Sequence, residues 1–360
     1  MANITAAMVK ELREMTGAGM MDCKKALGET DGDMEAAVDV LRKSGAAKME
    51  KKASRIAAEG ICRVAVEAGK GVVAEVNSET DFVAKNEVFQ EFVQSVADTA
   101  LVSGLKGGAN GEDVQALLDG GLTDVIADKT LKIGEKLSFR RFERVEADAV
   151  ASYLHNGGKI GVLVAGNGAS DDAAKEALTN IAMQVAAMSP QYVSRKDMSD
   201  AEVSKLREIT VEAALNDPAS LPKPILNKLI DQAVSGKLWS AEDIAIYEEK
   251  KSNMNFLFNF LSKEAAAKLV ELALAAKDEI AGDKIFSGLV EGRVSKQLKE
   301  ICLMDQTYVK AEDGKQSVAK YLESVNKSLV IDKFVRFEVG EGMEKKNEDF
   351  AAEVAAQMNA

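Results

Sequence analysis

The chain has 360 residues, of which 46% are hydrophobic and 29% are charged, and its net charge is −12. This length exceeds what one ordinary core occupies, and the composition is typical of a globular protein with two or three domains. The negative charge argues against nucleic acid as the main partner, because phosphate backbones need a basic face. No apolar run reaches the roughly 20 residues of a membrane span. The charged N-terminus is unlike a signal peptide, so we expect a cytoplasmic protein.

Catalytic and cofactor-binding patterns are scarce. Cys23, Cys62 and Cys302 lie too far apart in sequence for a Cys-x-x-Cys metal pair, and we expect buried free thiols. The single histidine, His155, excludes a multi-histidine zinc site, and we expect it to be structural. None of the Gly-Lys pairs is followed by the Ser or Thr of a Walker loop. We therefore predict no catalytic residue, no metal and no cofactor, although a hydrolase that uses a pair of carboxylates stays open.

Residues 1–55 predict three short helices and a basic linker. Thr5 is placed to cap the first helix and Asp33 the third, and the glycines of residues 16–19 separate the first helix from the second. We expect Gly45 to end the third helix. The apolar stripe of the first helix consists of Met8, Val9, Leu12 and Met15. So small a core is typical of a module that presents a surface.

The basic segment, residues 42–55, carries six positive charges against Glu50. Its two interpretations are a solvated linker helix and a cationic edge that meets an acidic partner.

Two α+β subdomains are predicted next, at residues 56–145 and at residues 146–195 plus 287–343. Each begins with alternating strands around a glycine turn, and "GVVA" at 71–74 matches "GVLV" at 161–164 in position. This recurrence indicates an internal duplication. Only the first copy contains the corner "TDFVAKN", which places Phe82 in a polar segment, so this element is the one least explained by folding.

Residues 196–286 predict a helical region, and residues 344–360 a closing helix. Three of the four prolines, Pro218, Pro222 and Pro224, interrupt the helical region. Within it the apolar segment "NMNFLFNFL" carries Phe256, Phe258 and Phe260, which must pack either within this region or against another chain. The closing helix has a narrow apolar stripe at Phe350, Val354 and Met358.

Four motifs resemble one family, the translation elongation factors Ts. They are "LREMTGAGMMDCKKAL" at 12–27, "VNSETDFVAKN" at 76–86, "HNGGKIGVLV" at 155–164 and "FVRFEVGEGMEKKNEDFAAEVAAQ" at 334–357. The resemblance implies an α+β protein with an N-terminal ubiquitin-associated-like three-helix module, two related core subdomains, a protruding helical hairpin and a C-terminal helix. The hairpin is enlarged here between residues 217 and 286.

The resemblance also implies a function without bond chemistry: exchange of guanine nucleotide on the GTPase elongation factor Tu. The corner would enter Tu near its magnesium and phosphate site, and the residues implied there are Thr80, Asp81, Phe82 and Val83. In the N-terminal module the implied contacts are Arg13, Met20, Met21 and Lys24. Further contacts are implied for Gln184 in the second subdomain and for Phe350 and Val354 in the C-terminal helix. A homodimer of the heterodimer with Tu is left open.

Alternative interpretations of the same residues remain. Phe82 could fold back onto the core, as most phenylalanines between a strand and a helix do. Met20 and Met21 could fill the core of the N-terminal module, because methionine adapts to irregular gaps. The whole chain could be a ubiquitin-associated-like adaptor that binds a helix of another protein without exchange activity.

Overall fold

The computed structural model describes residues 4–344, apart from the side chains of Ala46, Lys48, Met49, Ser252, Asn253 and Asn255. The chain forms two compact units, one comprising Met1–Ser189 with Thr307–Ala360 and the other Pro190–Gln306. Helices and two antiparallel sheets are both present, which confirms the α+β class. None of the helices within the described range is long and apolar enough to cross a membrane.

The N-terminal module consists of α1 (Ala6–Thr16), α2 (Met20–Glu29) and α3 (Met34–Lys52). Thr5 caps α1 by accepting a hydrogen bond from the Met8 amide at 3.3 Å, and Asp33 caps α3 by accepting one from the Ala36 amide at 3.0 Å. The prediction that Gly45 ends α3 is wrong, because the helix continues to Lys52. A Cβ at Gly45 would lie 2.9 Å from the Ala127 carbonyl oxygen, so this glycine serves close helix packing rather than termination.

The first sheet has the strand order β1-β2-β4-β3. Its elements are β1 (Glu59–Glu67), β2 (Lys70–Ser78), α4 (Asp81–Ala84), α5 (Glu87–Ser103), β3 (Gly107–Gly108), α6 (Val114–Leu117), α7 (Thr123–Ile133) and β4 (Ser138–Glu146). The hairpin turns at Ala68 and Gly69, which both have positive φ, as the glycine signal predicted. Val72, Ala74 and Val76 of β2 pack with Phe89 and Phe92 of α5 in one core.

The second sheet repeats this pattern with the order β5-β6-β7. Its elements are β5 (Ala149–His155), β6 (Ile160–Asn167), α8 (Asp172–Met188), α15 (Val318–Val325) and β7 (Val330–Glu338). In both sheets a hairpin is followed by a helix and completed by a third strand antiparallel to the second strand. Each third strand carries a bulge of one residue, at Arg140 in β4 and at Asp332 in β7.

The two sheets pack face to face through small residues. A Cβ at Gly71 would lie 2.7 Å from Val150 Cγ1, and a Cβ at Gly161 would lie 2.8 Å from the Cβ of Cys62. The glycine of each hairpin therefore admits a side chain of the other hairpin. A shared apolar layer that includes Val73 and Leu163 fills the space between the sheets.

The helical unit contains six α-helices within its described residues: α9 (Asp200–Leu215), α10 (Lys223–Ser235), α11 (Ala241–Lys250), α12 (Lys263–Ala275), α13 (Lys277–Ala281) and α14 (Lys284–Ile301). The boundary that sequence places at residue 286 falls inside this unit, because Phe286, Val290 and Val294 of α14 join its core.

Phe256 and Phe258 lie in a 3-10 segment, Lys251–Asn259, and Phe260 follows at its end. Phe258 packs against the core of the unit, as the intramolecular interpretation predicts. Phe256 and Phe260 depart from this interpretation, because 54% and 52% of their surfaces remain exposed.

Candidate partner-binding surface

The corner between β2 and α5 is built by two consecutive N-caps. The Thr80 hydroxyl accepts a hydrogen bond from the Val83 amide at 3.4 Å and starts the single turn of α4. The Asn86 side chain accepts a hydrogen bond from the Val88 amide at 2.9 Å and starts α5. Because both caps are short polar side chains close to their helices, the local sequence encodes the reversal of the chain.

Phe82 points out of this corner. Its side chain is 80% exposed, whereas Ala84 is buried and Val83 packs against the core of the first sheet. Neighbouring residues of one helical turn face different directions, so anchoring residues 83 and 84 leaves residue 82 on the outside. The interpretation in which Phe82 folds back onto the core is therefore wrong.

Asp81 is held in its charged form beside Phe82. Lys85 Nζ donates a hydrogen bond to Asp81 Oδ2 at 2.7 Å, one turn along the chain. This hydrogen bond lowers the pKa of the Asp81 carboxyl below its ordinary value. The tip of the corner therefore combines an exposed aromatic ring with an ionised, half-exposed carboxylate at neutral pH.

The N-terminal module exposes several methionines and cations. Met20 and Met21 are 59% and 74% exposed, and the side chains of Arg13 and Lys24 are also exposed. The interpretation in which the two methionines fill the core is therefore wrong. Sequence analysis missed Met15, which it placed in the apolar stripe of α1 and which is 61% exposed. We call Met15, Met20 and Met21 the methionine face.

Sequence analysis also missed Glu135. Its carboxylate accepts a hydrogen bond from the Thr80 hydroxyl at 2.6 Å across 55 positions of sequence. No local pattern signals such a contact, because it depends on how the loop after α7 meets the loop after β2.

The predicted contact at Gln184 is not supported by an exposed side chain. Gln184 is fully buried, donates a hydrogen bond to the Thr307 carbonyl at 3.1 Å and accepts one from the Val309 amide at 2.7 Å. These bonds position the segment 307–309, in which Val309 is 47% exposed. Phe350 and Val354, the other predicted contacts, lie outside the described residues.

Comparison with known proteins gives two concordant matches. The family model described as Elongation factor TS matches residues 79–250 and 256–341. A curated relative, Elongation factor Ts of Clostridioides difficile (strain 630), is 41% identical over an alignment of 370 residues. The alignment covers 99% of this chain and 100% of the relative. The chain belongs to the elongation factor Ts family. Both matches extend into residues 217–250, so the enlarged helical region is part of the likeness.

Membership in the elongation factor Ts family gives the general function. The chain is a translation elongation factor of the guanine-nucleotide exchange class, and the family acts on elongation factor Tu. The family model begins at residue 79, so its match includes the corner with Phe82.

The other residues singled out from sequence, His155 and the three cysteines, lie within residues 4–344. No group of three or more His, Cys, Asp or Glu side chains there could hold a metal ion. His155 lies 3.1 Å from the Tyr153 hydroxyl at the end of β5, in a contact between neighbours of one strand. Cys23, Cys62 and Cys302 are buried free thiols, as predicted, and burial raises the pKa of the Cys62 thiol so that it stays protonated.

Proposed function

We propose that the Asp81–Phe82 corner promotes GDP release from elongation factor Tu by inserting near the magnesium and phosphate site of Tu. The observation that carries this proposal is the exposed Phe82 ring on an anchored turn. An aromatic ring that water surrounds in the free protein gains about 1.5–3 kcal/mol when a partner buries it.

The mechanism is differential binding to two conformations of the partner. Phe82 gains this free energy only where a pocket for it is open, and we propose that this pocket opens when Tu loosens its magnesium and phosphate contacts. The exchange factor and the nucleotide then weaken each other's binding by the same factor, because coupling between two sites is reciprocal.

One aromatic ring does not supply the whole effect. A ten-thousand-fold faster release requires a barrier lower by about 5.5 kcal/mol, which exceeds the burial of one phenylalanine. We propose that the methionine face, with Arg13 and Lys24, holds the GTPase domain of Tu and supplies a second contact. In the corner, Thr80 and Val83 shape the turn, while Asp81 and Phe82 meet the partner.

Release of labelled GDP from Tu tests the proposal directly. Catalytic amounts of the full chain should accelerate release, and Phe82→Ala should reduce this acceleration while the protein stays folded. Equal acceleration by a folded Phe82→Ala variant would overturn the role of the corner. Binding to Tu without any acceleration by the unmodified chain would instead favour the adaptor function.

A further inference from the structure

The loop between α7 and β4 holds the backbone of the corner. The Glu135 carboxylate accepts hydrogen bonds from the Glu79 amide at 3.1 Å and from the Thr80 amide at 3.0 Å. It also accepts a hydrogen bond from the Thr80 hydroxyl at 2.6 Å. Bonds to a charged acceptor are stronger than neutral ones. One side chain therefore fixes both peptide groups that lead into α4.

The contact is reciprocal. The Glu79 carboxylate accepts a hydrogen bond from the Lys136 amide at 2.6 Å and forms an ion pair with Arg55 at 3.2 Å. The carboxylate of each loop therefore accepts hydrogen bonds from the backbone of the other loop.

The same junction reaches the end of the N-terminal module. Lys136 Nζ donates to the carbonyl oxygens of Ala53 at 2.6 Å and Arg55 at 2.8 Å, and Lys52 donates to the Gly134 carbonyl. Residues 134–136 therefore bind both the corner and the chain that follows α3. This arrangement fixes the corner relative to the module that carries the methionine face.

The short helix α4 depends on such external support. It has four residues, and a single helical turn is not stable by itself. The Thr80 hydroxyl both donates a hydrogen bond to Glu135 and caps α4. The position of the Glu135 carboxylate therefore determines the position of the cap of the turn that carries Phe82.

We propose that Glu135 is a positioning residue for nucleotide exchange, which acts by fixing the direction of Phe82. This inference rests on the proposed function of the corner. Without the Glu135 carboxylate, Phe82 stays exposed but its turn is ordered only as the ring inserts into the bound partner, which costs conformational entropy at the insertion step. The main consequence falls on the rate of GDP release at saturating exchange factor, because misdirected insertion leaves the partner's phosphate contacts in place.

The test is a double-mutant cycle between Glu135→Gln and Phe82→Ala in the full chain, read as release of labelled GDP from Tu. Glutamine keeps the size of the side chain but turns an NH₂ group toward backbone donors. We expect Glu135→Gln to slow release at saturating factor about tenfold, equivalent to about 1.4 kcal/mol. In the Phe82→Ala background it should have no further effect, because its action passes through that ring.

Asp128→Asn is the matched control. Asp128 lies on α7 and pairs with Lys132 at 3.0 Å, so its substitution removes a nearby carboxylate while leaving the junction intact. It should keep the full rate of exchange. If Glu135→Gln does not fold, Thr80→Val removes the hydroxyl bond to Glu135 together with the cap of α4 and should also slow release, and Thr80→Ser should restore the rate.

The outcomes separate the two proposals. Full exchange by Glu135→Gln, or equal losses with and without Phe82, would overturn the positioning role while leaving the function of the corner intact. Normal exchange by Phe82→Ala would overturn the function of the corner, and the positioning role with it.

Discussion

The two sheets of the larger unit are built alike but lead into their helices differently. Residues 79–86 connect β2 to α5 and carry the exposed Phe82, whereas residues 168–171 connect β6 directly to α8. Both sheets have the hairpin, the helix, the third strand and the bulge. The second sheet forms without the longer connection, so a sheet of this pattern does not require it. This difference is consistent with the partner-binding role that we propose for the corner.

A second difference lies inside the sheets, next to the bulges. The first sheet has Glu75 at this position and the second has Ala165. Glu75 is fully buried, forms ion pairs with Arg141 at 2.6 Å and Arg140 at 2.9 Å, and accepts a hydrogen bond from the Gly340 amide at 2.9 Å. The position next to the bulge is therefore ionic in the first sheet and apolar in the second.

The largest effect is expected from breaking this ionic cluster. Glu75→Gln leaves the buried guanidinium of Arg141 without its main counter-ion, and we expect the free energy of unfolding to fall by about 3 kcal/mol or more. Urea denaturation measures this. The control is Glu146→Gln, which removes an exposed partner of Arg144 in the same sheet and should cost under about 1 kcal/mol. A fully stable Glu75→Gln variant would show that the first sheet needs no more ionic support than the second.

The next effect concerns the corner itself. Phe82→Ala should slow, by about tenfold to a hundredfold, the release of GDP from Tu that the exchange factor stimulates. The reason is that about 1.5–3 kcal/mol of burial is lost and each 1.36 kcal/mol corresponds to a factor of ten. The melting temperature should not change, since the ring is 80% exposed. Val102→Ala is the matched control, because Val102 is 78% exposed at the end of α5 and lies away from the corner in sequence. A comparable loss of exchange in both variants would mean that general surface hydrophobicity, not the corner, drives the reaction.

Short-range signals in the sequence predicted much of the architecture. Thr5, Asp33 and Gly69 act within a few residues of themselves, so the helix starts and the hairpin turn could be located correctly. Gly45 was misinterpreted because glycine also permits close approach of another segment, here α7, and the sequence does not distinguish the two uses.

The site was predicted less completely, for a physical reason. Phe82 was assigned through family resemblance, since hydrophobicity alone favoured burial. Met15 has the spacing of a buried stripe and yet is exposed, because a three-helix module buries only part of each helix. Glu135 acts across 55 residues of sequence, and only the folded chain brings it to Thr80.

Substitution of the paired glycines tests how closely the two sheets correspond. Gly71→Ala and Gly161→Ala each place a methyl group in contact with the other hairpin, and we expect each to destabilise the fold by about 1–3 kcal/mol through overpacking. Gly28→Ala is the control, because no atom lies within 4 Å of its added Cβ. Urea denaturation of the three variants gives the comparison. A loss at only one of the two paired sites would show that the hairpins do not pack reciprocally.

The smallest effect is the titration of Asp81, which lies beside Phe82 in the longer connection of the first sheet. The hydrogen bond from Lys85 lowers the pKa of Asp81 in the folded state, so ionisation of Asp81 stabilises the fold above the ordinary pKa of about 3.9. This contribution is lost as the pH falls through the lowered folded-state pKa. Carboxyl carbon shifts measured by NMR should titrate with a lower midpoint in the unmodified protein than in Lys85→Ala. Identical midpoints would show that Lys85 does not hold the carboxylate at the tip of the corner. Exchange measured near pH 7 should be insensitive to this titration, because Asp81 stays ionised there in both proteins.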